Sequence, residues 1–128
     1  VQSKKILVTN HDFRNKYLYT TKDKKELFYF DPPYLITQAP YNSFWNKTDE
    51  KELLEILDSL NDSGHRFLLS NVIESNGKEN DLLKTWMKKY KVKHIKRQYL
   101  NSNYQKKNLS NADEVVIYNY CEVENDEY

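Results

Sequence analysis

Glycine is nearly missing from this chain: 128 residues contain two, Gly64 and Gly77, alongside three prolines, three histidines and one cysteine. Each scarcity excludes a class of protein. The two glycines stand far apart, so the chain carries no glycine-rich loop of the kind that cradles phosphates. The single Cys121 rules out an internal disulfide and a zinc cluster built on cysteines, and it reads as a packed thiol rather than a reactive one. His11, His65 and His94 share no ligand spacing and read as surface or core residues, so no metal is expected. No apolar run is long enough for a membrane span or a signal peptide, which leaves the cytoplasm as the expected location and no membrane partner. A net charge of +1 gives no overall basicity to announce a nucleic-acid binder.

What is present is unevenly spread. Residues 84–107 hold nine Lys or Arg and no acid, whereas residues 113–128 hold six acids and no Lys or Arg. Aromatic residues make up 14% of the chain, with 11 tyrosines. The length suits one domain with a moderate core.

The pattern predicts strands and helices in alternation. Lys4–Val8 reads as a strand and residues 13–25 as a polar stretch with a short helix. Leu27–Phe30 is a continuous apolar run, read as a strand buried on both faces. Residues 34–47 form a loop. A helix is expected at 49–61, with Thr48 as N-cap, a stripe through Leu53, Leu57 and Leu60, and Gly64 as the left-handed residue that ends it. Arg66–Leu69 is a second buried strand and Ser70–Gly77 a loop. Residues 80–90 read as a helix through Leu82, Leu83, Trp86 and Met87. Strands at Val92–Tyr99 and Glu114–Tyr120 flank a polar loop, and with no helix between them they should pair antiparallel. Strand, helix, strand, helix, strand is a parallel α/β arrangement, in which ligands bind beyond the carboxyl ends of the strands. That edge collects Asp12, Asp31 and the Ser70-Asn71 pair.

Residues 26–34, Glu-Leu-Phe-Tyr-Phe-Asp-Pro-Pro-Tyr, organise the rest. Pro32 and Pro33 cannot donate ladder hydrogen bonds, so they stop the strand and hold the chain extended. The Asp31 carboxylate and the Pro32 carbonyl can then face one space beside the Tyr34 ring. Two fixed acceptors beside an aromatic ring suit a flat guest carrying an amino group.

This stretch resembles the Asp-Pro-Pro-Tyr motif of the methyltransferases that modify adenine N6 in DNA. Asn10-His11-Asp12-Phe13, Phe44-Trp45, Ser70-Asn71 and Glu114–Tyr120 fall in the order of Dam-type enzymes, with likeness to GATC-modifying methylases of Dpn-type restriction–modification systems. The resemblance covers roughly residues 5–120 and only the carboxyl half of such an enzyme. It implies a partial class I (Rossmann-like) methyltransferase sheet, α/β, mostly parallel with an antiparallel C-terminal strand and helices on the faces. Residues 1–120 would be the C-terminal part of the catalytic domain and 121–128 an acidic tail.

The resemblance implies S-adenosylmethionine as co-substrate, no metal, and double-stranded DNA with a flipped adenine as partner. Asp31, Pro32, Pro33 and Tyr34 would be the catalytic set. Hydrogen bonds from N6–H to Asp31 and to the Pro32 carbonyl would favour a pyramidal nitrogen and stabilise its developing positive charge. Tyr34 would be the platform on which the extruded base stacks. Asp12, Phe13 and Asp31 would touch the methyl donor. Tyr41, Asn71, Arg97, Lys106 and Lys107 are the DNA-contact candidates, with Asn71 open between a substrate contact and a loop cap. Lys88, Lys89 and Lys91 read instead as a solvated face at the opposite edge. The family's Gly-rich donor loop has no counterpart here. The chain is therefore expected to be a catalytic half, inactive alone, that needs a missing N-terminal half or a second copy. A non-catalytic nucleic-acid-binding or interaction module derived from such an enzyme is the alternative.

Overall fold

The computed structural model describes residues 13–14, 19, 26–37, 45–95 and 112–121. The expected strand at Lys4–Val8 and the loop after residue 99 fall almost wholly outside these ranges. The elements, in order, are β1 (Leu27–Phe30), α1 (Lys47–Asp62), β2 (Arg66–Ser75), β3 (Lys78–Glu79), α2 (Asp81–Trp86) with a 3₁₀ turn (Met87–Lys89), β4 (Lys91–Ile95) and β5 (Asp113–Tyr118).

The strands form one mixed sheet in the order β1-β2-β5-β4, with β3 paired to β2. β1 and β2 are parallel, Phe30 standing beside Leu69. β5 is antiparallel to both β2 and β4. Hence β1, β2 and β4 all run one way, as the alternation of strands and helices implies, and the final pair is antiparallel as expected. The described strands thus form a mixed sheet, in which three strands of the main path share one direction but only β1 and β2 are joined by a parallel ladder. β5 wedges between β2 and β4 and converts what would be a parallel ladder into two antiparallel ones.

α1 follows from its sequence at both ends. Asn46, not Thr48, is the N-cap: its side chain accepts from the Asp49 N–H at 3.0 Å, and Asp49 accepts from the Asn46 N–H at 2.9 Å. This reciprocal pair satisfies two amides that the first turn would leave bare. At the other end Gly64 has φ +84°, and His65 N–H reaches back to the Leu60 carbonyl at 2.9 Å. A left-handed residue there lets the chain reverse while the last carbonyls keep donors.

Two expected boundaries move. Ser70–Gly77 is not a loop, because β2 runs on to Ser75, held by β5 through Val72 and again at Glu74 after a bulge. The chain then turns at Asn76 (φ 51°) and Gly77 (φ 81°), and Ser75 faces Lys78. Two left-handed residues in a two-residue turn are what Asn-Gly favours, since this turn matches the twist of its strands. The second helix is α-helical only from Asp81 to Trp86 and tightens into the 3₁₀ turn beyond.

Both helices lie on one face of the sheet, not one on each, among the described residues. Phe67, Leu69 and Ile73 of β2, and Val115 and Ile117 of β5, meet Leu53, Leu54, Leu57 and Leu60 of α1 and Leu83 and Trp86 of α2 in one core. β1 is accordingly not buried on both sides. Phe28 and Phe30 pack on the core, but Leu27 and Tyr29 on the other face are 44% and 59% exposed. Cys121 is exposed rather than packed, with Lys91 Nζ 3.6 Å from its sulfur.

The helix layer is tied at both ends by carboxylates. Glu50, fully buried, accepts from Trp45 Nε1 and from Asn80 Nδ2, each at 2.8 Å. Asn80 in turn caps α2 and bonds the Ile73 carbonyl through its N–H at 2.9 Å. At the far end Asp58 accepts from Trp86, Lys89 and Tyr90. Replacing Glu50 by Ala should leave two buried donors unpaired and cost about 2–5 kcal/mol. Glu50→Gln keeps one acceptor and should cost less, an order that denaturant unfolding of the two variants checks.

Candidate active site

Asp31 leaves the sheet at the carboxyl end of β1, at the point where Pro32 and Pro33 end the ladder. Its carboxylate is exposed, and one of its two oxygens is held firmly. Ser70 Oγ donates to Asp31 Oδ1 at 2.9 Å, and the Tyr34 hydroxyl donates to the same oxygen at 3.2 Å. The Tyr29 hydroxyl stands 3.2 Å from Ser70 Oγ. Behind Tyr34 the chain turns, with the Thr37 N–H and hydroxyl both donating to the Tyr34 carbonyl, at 3.1 and 3.3 Å. Asp31 and Tyr34 thus come together as the motif suggests.

The Tyr34 phenol is pushed above its usual value, first by burial and then by the Asp31 charge beside it. It therefore stays a neutral O–H donor. A phenolate there would face a carboxylate, with Glu114 adding to the repulsion.

The remaining candidates separate. Asn71 adjoins Ser70 but points to the opposite face of β2, the helix side, and is 1% exposed. It lies within a strand, not in a loop. Its Oδ1 accepts from the Val72 N–H at 2.7 Å, and its Nδ2 has no partner among the described residues. Phe13 packs against Trp45 at 5.6 Å between ring centroids, with the Arg14 guanidinium 4.4 Å over its ring. Arg14 pairs with Asp49 and Glu52, so this stretch is anchored on the first turns of α1. Asp12, Tyr41, Arg97, Lys106 and Lys107 lie outside the described residues. Lys89 and Lys91 are exposed, and Lys91, at the start of β4, is in register with Tyr118 and through it with Leu68. Among the described residues no three His, Cys, Asp or Glu side chains are grouped to hold a metal ion.

The sequence places Ser70 at this edge as half of the Ser70-Asn71 pair but gives it no contact with Asp31, and it reads Tyr29 only as part of the apolar strand. Their signal was nonetheless present. Laying the two apolar runs side by side, Leu27 against Arg66, continues to Asp31 against Ser70. Alternation along β1 and β2 then puts Tyr29 and Ser70 on one face.

A strand that ends in an acidic side chain beside an aromatic donor, on the edge of an α/β sheet, defines a site for a small polar group. Residues 1–101 match the D12 class N6 adenine-specific DNA methyltransferases, and the chain belongs to that family. It is 44% identical over 104 residues to the Type II methyltransferase M.FokI of Planomicrobium okeanokoites, covering 77% of the chain and 16% of that protein. It is 39% identical over 117 residues to the modification methylase StsI of Streptococcus sanguinis, covering 85% of the chain and 18% of that protein. The modification methylase LlaI of Lactococcus lactis subsp. lactis is 38% identical over 98 residues, 64% of the chain and 16% of its own length. The chain therefore spans no more than 18% of the length of these relatives.

The raised Tyr34 value carries a pH signature. The neutral phenol's bond to Asp31 is fully present below the usual value of 10.0 and is lost as pH rises through the higher folded value. The ultraviolet titration of tyrosinate, taken as wild type minus Tyr34→Phe, should centre above that usual value. A difference curve centred at or below it contradicts the assignment.

Proposed function

We propose that this chain supplies the catalytic side of a site-specific DNA adenine-N6 methyltransferase that uses S-adenosylmethionine. The observation that carries the reading is the Asp31–Tyr34 pair at the end of β1, in a chain whose family modifies adenine N6. Duplex DNA is the macromolecular substrate. The target adenine is rotated out of the stack, because a base paired and stacked within the duplex cannot bring its amine to the Asp31 carboxylate and its ring to Tyr34. Tyr34 stacks on the extruded base. Asp31 and the Pro32 carbonyl accept the two N6–H bonds, which localises the nitrogen lone pair and opposes the positive charge that grows as it attacks. The nitrogen–methyl bond forms as the sulfur–methyl bond breaks in line. The nitrogen then sheds one proton to solvent, and S-adenosylhomocysteine leaves.

Phe13 and Asp12 border the donor in this reading, and Arg97, Lys106, Lys107 and Tyr41 are the residues offered to the DNA. GATC is the target implied by the motif order, and the enzyme works in the cytoplasm as the modification partner of a restriction system. Two facts support the further claim that the chain does not methylate alone. Gly64 ends α1 and Gly77 turns the β2–β3 hairpin, so both glycines serve as turns. β1 pairs only with β2 among the described strands, which leaves a backbone edge for a neighbour that carries the donor loop, or for a second copy.

Asp31→Ala in the intact enzyme should reduce single-turnover methylation of GATC duplexes by roughly a hundredfold or more at saturating donor. DNA affinity should remain, since Asp31 makes no phosphate contact in this scheme. Near-normal turnover removes Asp31 from the mechanism. Tyr34→Ala should weaken extrusion of a 2-aminopurine at the target position by roughly 5- to 100-fold, the worth of one stacked base. An unchanged fluorescence signal leaves Tyr34 as a packing residue. Calorimetric titration of the isolated chain should show no micromolar binding of S-adenosylmethionine, and light scattering should show association. Micromolar binding by a monomer overturns the claim that the donor loop is supplied from elsewhere.

A further inference from the structure

We infer that Ser70 is the positioning residue for Asp31, fixing which carboxylate oxygen meets the adenine amine. The inference rests on the methyltransferase reading above and names a residue that the Asp-Pro-Pro-Tyr motif does not contain.

The two Asp31 oxygens are unlike. Oδ1 accepts both the Ser70 hydroxyl at 2.9 Å and the Tyr34 hydroxyl at 3.2 Å. Oδ2 has no hydrogen-bond partner among the described residues, and Asp31 is exposed. A carboxylate with one oxygen doubly occupied can offer only the other to a new donor without losing a bond. Oδ2 is then the atom that receives N6–H.

Proton accounting sets the direction of the chain. Ser70 has one hydroxyl proton, and it goes to Asp31. The 3.2 Å contact between Tyr29 and Ser70 is therefore made by the Tyr29 proton, with Ser70 Oγ as acceptor. Tyr29 O–H, Ser70 O–H and Asp31 form a directed relay that stops Ser70 from rotating away.

Ser70 also stands where an anchor should. Asp31 lies beyond the last β1 residue, but Ser70 lies inside β2, where the β5 ladder continues through Ser70 and Val116 to Val72 and Glu114. A residue just past the end of one strand is held by the laddered middle of another, the arrangement that keeps a reacting group within a fraction of an ångström of its working geometry.

The test is made in the intact enzyme with Ser70→Ala, Ser70→Thr and Asp31→Ala in parallel. Ser70→Ala should lower the single-turnover methylation rate by roughly 10- to 100-fold, the usual cost of a misplaced reacting group. Dissociation constants for duplex DNA and for S-adenosylmethionine should stay within about twofold, because the hydroxyl touches neither. Ser70→Thr, which keeps the hydroxyl on a strand that tolerates β-branching, should recover most of the rate. A normal rate in Ser70→Ala overturns the inference. So does a rate loss matched by equal losses of DNA and donor binding, or one that Ser70→Thr does not relieve, since either marks a packing role. If Asp31→Ala is dead and Ser70→Ala is normal, only this inference falls. If Asp31→Ala is itself active, the parent reading falls and takes this one with it.

Discussion

The helix layer depends on one buried carboxylate. Glu50 sits in the first turn of α1, where an acid is favoured by the helix dipole, yet it is wholly removed from water. Burying a charge is costly unless donors replace its hydration. Trp45 and Asn80 do so, one on each oxygen. Because Trp45 precedes α1 and Asn80 starts α2, the same two bonds fix where both helices begin. Asn80 then passes the constraint to the sheet through Ile73. Phe13, lying on Trp45, inherits its place from the same knot.

Much of this was legible in the sequence, and the misses share a cause. The apolar run Leu27–Phe30, its stop at two prolines, the leucine stripe of α1 and the Gly64 terminator are all local signals. Each came out within about two residues, the usual uncertainty of a helix end. What failed was non-local. Ser70–Ser75 looks like a polar loop because Ser70, Asn71, Glu74 and Ser75 break the apolar pattern, and only the β5 ladder makes it a strand. The Asn76-Gly77 pair, by contrast, is a local signal for the turn that joins β2 to β3. Thr48 and Asn46 are both competent caps; the Asp49 side chain, reaching back to the Asn46 N–H, decides between them.

The candidate site divides the same way. Asp31 and Tyr34 are three residues apart, and their meeting follows from a short rigid segment. Ser70 is 39 residues away, and its contact with Asp31 requires the register of a parallel pair. The two side chains of the Ser70-Asn71 pair then part company. Alternation sends the hydroxyl to the carboxylate on one face and the amide into the core on the other. A dipeptide that reads as one motif thus serves two environments. The Nδ2 of Asn71, without a partner among the described residues, lies on the side away from the Asp31 carboxylate.

The place of β5 has a consequence for how the protein is made. Its two neighbours, β2 and β4, are both earlier in the chain, and it occupies the gap between them. Until residues 113–118 have been synthesised, β4 has no ladder partner among the described strands, and β2 has only β1 and the short β3. A chain still on the ribosome can therefore assemble β1, α1 and β2 early, because all three lie before residue 76, even though β1 and β2 pair across a long stretch of sequence. Closure of the described sheet waits for residues 113–118 to emerge. During that interval the backbone groups of β2 that later meet Val115 and Ile117 stand open, the condition in which growing chains associate with one another.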